Sequence, residues 1–114
     1  MIEVTLKNYL EDALDVPVLM EIPAQPPARF IVIERTGTQM IEKAIEEATF
    51  AIQSYGVSLY DAALLQFAVR AAMQTFEELS EVCSVEVTGI YNYTDESIKK
   101  YRYQGVYSVI AYDE

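Results

Sequence analysis

The stretch SLYDAALLQFAVRAAMQTFEEL, residues 58–79, decides the fold of this chain. Ser58 stands three residues before Asp61, so a hydroxyl and a carboxylate can cap the first free backbone donors of a helix that begins there. Between Leu59 and Leu79 the polar Gln66, Arg70, Gln74, Glu77 and Glu78 fall along one narrow stripe. Ala62, Leu65, Val69, Ala72, Met73 and Phe76 lie on one apolar side, and Ala63, Leu64, Phe67, Ala68 and Ala71 on another. A helix with so little polar surface is buried on most sides. One side covers a sheet, and the other is covered by an amino-terminal helix or by a neighbouring copy of the protein. Many of these residues are alanines, which add little burial each, so an intramolecular sandwich fits as well as a subunit interface.

Strands are expected on both sides of that helix. Before it, residues 49–55 place Phe50 and Ile52 on one side and Thr49, Ala51, Gln53 and Tyr55 on the other, a half-buried strand ended by Gly56. After it, Cys83, Val85 and Val87 alternate with Ser84, Glu86 and Thr88. A polar turn over residues 92–97 leads to a second run over 101–112, so the two predict a long antiparallel hairpin. Its last strand sets Tyr101, Tyr103, Tyr107 and Val109 on one face, and tyrosine suits a half-wet face because it joins apolar area to a polar tip. Further upstream, Phe30, Ile31, Val32 and Ile33 are apolar in succession, which predicts a central strand covered on both faces.

Thr36, Gly37 and Thr38 read as a break, and residues 40–47 then have the composition of a helical turn or a mobile loop. Residues 16–22, with Pro17 among them, predict an edge strand, followed by a loop at Pro23, Pro26 and Pro27. Ile2, Leu6, Tyr9, Leu10, Ala13 and Leu14 recur at helical spacing and predict a short amphipathic helix at the amino terminus. The expected class is α+β: helix, three strands, long helix, two-strand hairpin, with a mostly antiparallel sheet and helices on one face. One domain over residues 1–114 suits this length and a 52% hydrophobic content. Residues 1–14 alternate apolar with charged side chains, unlike a signal peptide or a spanning helix, so a soluble chain made in a cytoplasm is expected.

Composition removes several kinds of chemistry. The chain has no histidine and a single cysteine, Cys83, so a Ser/His or Cys/His nucleophile and a thiolate zinc site lack their residues. No cofactor or metal is expected. Eighteen acidic against eight basic residues give a charge of −10, which repels a phosphate backbone. The acidic pairs Glu46/Glu47, Glu77/Glu78 and Asp95/Glu96 are sequence neighbours whose side chains project apart, so they read as solvated surface and not as acid/base pairs. Thr36-Gly37-Thr38-Gln39 holds one glycine and no lysine, so it is no phosphate loop. Lys99, Lys100 and Arg102, beside Tyr101 and Tyr103, form the one basic cluster, which fits a solvated turn ahead of a strand.

Residues 51–63, AIQSYGVSLYDAA, and YNYTD at 91–95 leading into KYRYQGVY at 100–107 resemble a family of small structural proteins of tailed phages and prophages. The family is that of tail terminator, head-tail joining or minor capsid proteins, and the likeness extends over most of the chain. It implies a non-enzymatic virion protein, made in a bacterial host cytoplasm, that forms a homo-oligomeric ring at the end of the tail tube and joins the tail to the head connector. DNA would pass such a ring without tight binding, and no membrane is involved. On this reading the candidate contacts with other subunits or partners are Thr36, Gly37, Thr38, Gln39, Met40, Gln53, Tyr55, Tyr101 and Tyr103, together with the sheet edges. A second reading is a cytosolic module without catalysis that binds a protein, or a small ligand between the long helix and the tyrosine-bearing strand. A third, a carboxylate enzyme, requires a buried acid beside an open pocket.

Overall fold

The computed structural model describes residues 1–98 and 100–112. Among these residues two helices and five strands form an α+β unit in the order α1 (Ile2–Leu14), β1 (Val18–Leu19), β2 (Phe30–Glu42), β3 (Ile45–Tyr55), α2 (Leu59–Phe76), β4 (Val82–Asn92) and β5 (Arg102–Tyr112). The strands make one sheet in the order β1-β2-β3-β5-β4, parallel only between β1 and β2.

Helix α2 begins where its cap predicts. Ser58 is extended, its hydroxyl accepts the Asp61 N–H at 3.1 Å, and the Asp61 carboxylate in turn accepts the Val57 N–H at 3.0 Å. It ends at Phe76, because Glu78 and Leu79 donate three residues back to Thr75 and Phe76 and the last turn tightens. Leu65, Val69, Met73 and Phe76 face the sheet, where they meet Phe50, Ile52, Tyr107 and Val109. Helix α1 lies beside α2 on the same face and contributes Ile2, Leu6 and Leu10, one side chain per turn. Its chain turns away at Asp15, which adopts the left-handed conformation.

Strand β1 is much shorter than residues 16–22 suggest. Pro17 has no N–H to give, although its carbonyl accepts from Ile31, and the three prolines from Pro23 onward stop the ladder. Phe30, Ile31, Val32 and Ile33 are buried on both faces. Phe30 and Val32 meet Tyr55 in a small second cluster on the face away from the helices, where the Phe30 and Tyr55 rings stack 4.4 Å apart.

Residues 36–47 differ from expectation. Strand β2 does not break at Thr36-Gly37-Thr38; it runs on to Glu42, turns at Lys43 and Ala44, and returns as β3. Gly37 marks a register shift in the ladder and not the end of a strand. Residues 40–47 are therefore neither helical turn nor loop but the end of a hairpin. The turn escapes notice because Ala44, and not Gly or Asn, takes the left-handed conformation at φ 69°.

Candidate functional site

The far end of the β2–β3 hairpin, here called the arm, has β3 paired with β5 as far as Ile45 and β2 as its open edge, and Arg35 fixes that edge to the body. Arg35 pairs across the ladder with Phe50, so its side chain points to the helix side. There Nη1 donates to Glu3 of α1 at 2.7 Å, Nη2 donates to Glu46 of β3 at 2.7 Å, and Nε donates to Thr38 Oγ1 at 2.7 Å. Glu46 is the one buried carboxylate among the described residues, and this ion pair occupies it. Past Arg35 the arm is bare. Thr36, Gly37, Thr38, Gln39 and Met40 are all exposed, so five of the nine candidate contacts gather on one open strand edge. Met40 and Ile41 near its tip are 54% and 51% exposed although both are apolar.

A second exposed surface runs along the back of α2. Tyr60, Leu64 and Phe67 recur at spacings of four and three and are 74%, 50% and 51% exposed, with Val57 exposed just ahead of the helix. Helix α1 covers only the flank of α2, where Tyr9 meets the Phe76 ring edge-on at 5.2 Å and its hydroxyl bonds that of Thr75. The stripe was legible in the surplus of apolar positions in residues 58–79. Which of them face outward depends on where α1 lies, and periodicity does not give that.

Of the other four candidates, three are held within the sheet and Tyr101 lies just ahead of β5. Gln53 lies half-buried on the helix-free face and donates to Gln104 at 2.8 Å, which donates in turn to the Tyr91 hydroxyl, a ladder across β3, β5 and β4. Tyr55 is buried under the proline segment by its stack with Phe30, and its hydroxyl accepts from Arg102 at 3.1 Å. Tyr101 is half-buried in a hollow with Pro26, Pro27 and Lys100. Tyr103 pairs with Ser54 and shares its helix-facing side. Arg102 lies 4.6 Å over the Tyr93 ring, Lys100 is exposed, and Lys99 of the basic cluster lies outside the described residues.

Gln66 is not part of a solvent stripe on α2: it is fully buried. Its amide donates to the Ile52 carbonyl at 2.9 Å, with longer approaches to Ser54 Oγ and the Tyr103 carbonyl, and its Oε1 accepts from the Tyr107 hydroxyl at 2.9 Å. Gly105 makes room for this cluster, because a Cβ there would lie 2.5 Å from Gln66 Oε1. Burial pushes the Tyr107 hydroxyl well above its ordinary pKa, so it stays a neutral donor. Every buried side-chain N or O atom among the described residues has a hydrogen-bond partner, so the cluster holds helix to sheet.

Beside that cluster, a cleft of about 140 Å³ between α2 and β4 is lined by Arg70, Met73, Gln74, Glu77, Val85, Val87 and Tyr107. Small-molecule sites run to roughly 300–1,000 Å³, so this cleft has room for a side chain and not for a cofactor. A larger, open hollow of about 650 Å³ lies along residues 19–24 and away from the tyrosines of β5. Among the described residues no three His, Cys, Asp or Glu side chains converge as metal ligands, and no helix is long and apolar enough to cross a membrane. Compared with models of known protein families and with curated protein sequences, the chain matches none.

Proposed function

We propose that this chain is a non-enzymatic virion subunit of the tail terminator kind, which assembles as a ring at the end of a phage tail tube and joins the tail to the head connector. The observation that carries the proposal is the uncovered stripe Tyr60-Leu64-Phe67 on α2, whose opposite side already fills the core. Large apolar side chains aligned on one helix face are buried by association when no element of the same chain covers them. The arm adds a second contact surface, and the resemblance of residues 51–63 and 91–107 to tail-completion proteins supplies the biological setting. The charge of −10 suits a ring through which DNA passes without sticking. The ligand-binding reading has less support, because the cleft beside Tyr107 holds only about 140 Å³.

Deletion of the gene from a phage-producing cell tests this role by electron microscopy. Tails of uncontrolled length lacking heads are the expected result; complete particles with tails of normal length would contradict it.

A further inference from the structure

The sheet has two long open edges, and they are complementary. Strand β4 is terminal in the strand order, so all eleven of its residues present one side without a neighbouring strand among those described. Strand β2 is covered by β1 only at Ile31 and Val32, which leaves the edge of residues 34–42 equally open. Open edges are ordinarily blunted by lysine, proline, inward-pointing charges or bulges. Neither β4 nor residues 34–42 contain lysine or proline, and the guards they carry are the inward-turned Arg35 and the bulges. The register shifts in both strands restrict pairing to a matching alignment without forbidding it.

We infer that residues 34–42 of one copy pair antiparallel with β4 of the next, a contact that rests on the assembly proposed above. Polarity allows it: β2, β3, β5 and β4 are joined by three antiparallel steps, so β4 runs opposite to β2, and a sheet continuing into the next copy keeps its alternation. The level matches too. Met40 pairs with Glu46, Glu46 with Ala111, and Ala111 with Val82, so Met40 and Val82 occupy one row across the sheet. In a continued sheet Met40 arrives beside Val82 and Gln39 beside Cys83 and Ser84, while Glu42 comes level with Glu81, a like-charge pair that added salt screens. The two edges differ, so the contact is head-to-tail and propagates around a ring instead of ending at a dimer.

The single cysteine, exposed on β4, allows a direct test. Gln39→Cys, Met40→Cys and Ile41→Cys are oxidised under conditions where light scattering shows the oligomer, and run on a non-reducing gel. A disulfide requires Cα atoms roughly 4.4–6.8 Å apart, so only paired strands bridge efficiently. The expected result is a ladder of covalent multimers from at least one arm variant, abolished when Cys83→Ser is added. An oligomer that gives no ladder from any of the three overturns this pairing and leaves the assembly proposal standing. Absence of an oligomer overturns both.

Discussion

Arg35 ties three segments together, with Glu3 on α1 and Glu46 on β3 as its acidic partners and Thr38 as its acceptor on the arm itself. Arg35→Ala strands two carboxylates beside each other in a poorly hydrated place. The expected loss is about 3 kcal/mol, the lower end for a broken buried pair, because the side chain is 20% exposed. Urea denaturation reads it directly. Glycines 105 and 37 make a contrasting pair. Gly105→Ala sets a methyl 2.5 Å from Gln66 Oε1 and 2.6 Å from the Tyr107 ring, an overpacking that costs about 1–3 kcal/mol, whereas Gly37→Ala meets nothing within 4 Å and is neutral or slightly stabilising. Equal midpoints for the two variants would refute the account of the Gln66 cluster. Glu11 gives a pH signature: the Val18 N–H bonded to its carboxylate at 3.1 Å, and Lys7 to a lesser degree, hold its pKa below the ordinary 4.5. A pKa lowered by folding adds stability above 4.5 that is lost as the pH falls through the folded value. The difference in unfolding midpoint between the protein and Glu11→Gln is therefore expected near neutral pH and should vanish in acid.

In the proposed assembly, helix α2 serves the fold with its inner side and the interface with its outer side. Leu64→Glu combined with Phe67→Glu changes only outward side chains of α2. Stability of the isolated subunit should stay within about 0.5 kcal/mol, as for surface substitutions generally, while assembly is lost. Thermal unfolding together with sedimentation separates the two effects, and a doubly substituted chain that still assembles would remove α2 from the interface. The start of α2, the burial of residues 30–33 and the β4–β5 hairpin were legible because a capping pair, an unbroken apolar run and a period of two each encode a local preference. The arm was not, because its turn is carried by Lys43 and Ala44 instead of the glycine or asparagine that ordinarily marks a hairpin. Gln66 and Tyr55 were misplaced for a different reason. Polar and amphipathic side chains lie inside when partners from distant segments satisfy them, and sequence spacing says nothing of Tyr107 over Gln66 or Phe30 over Tyr55.

At the scale of the whole molecule, the proposed ring draws on the hairpin edge, the acidic surface and the open strand edges of a unit that measures 44 × 25 × 24 Å. Its charge of −10 makes copies repel one another, so assembly should strengthen as salt screens that repulsion, with apolar contacts and strand pairing left to hold the ring. The most direct test of the central claim is the molar mass in solution by light scattering, over a range of concentrations and in moderate salt. The account predicts a mass that climbs to a fixed multiple of 12.9 kDa and stays there, the mark of a closed ring. A mass of 12.9 kDa at every concentration would contradict it.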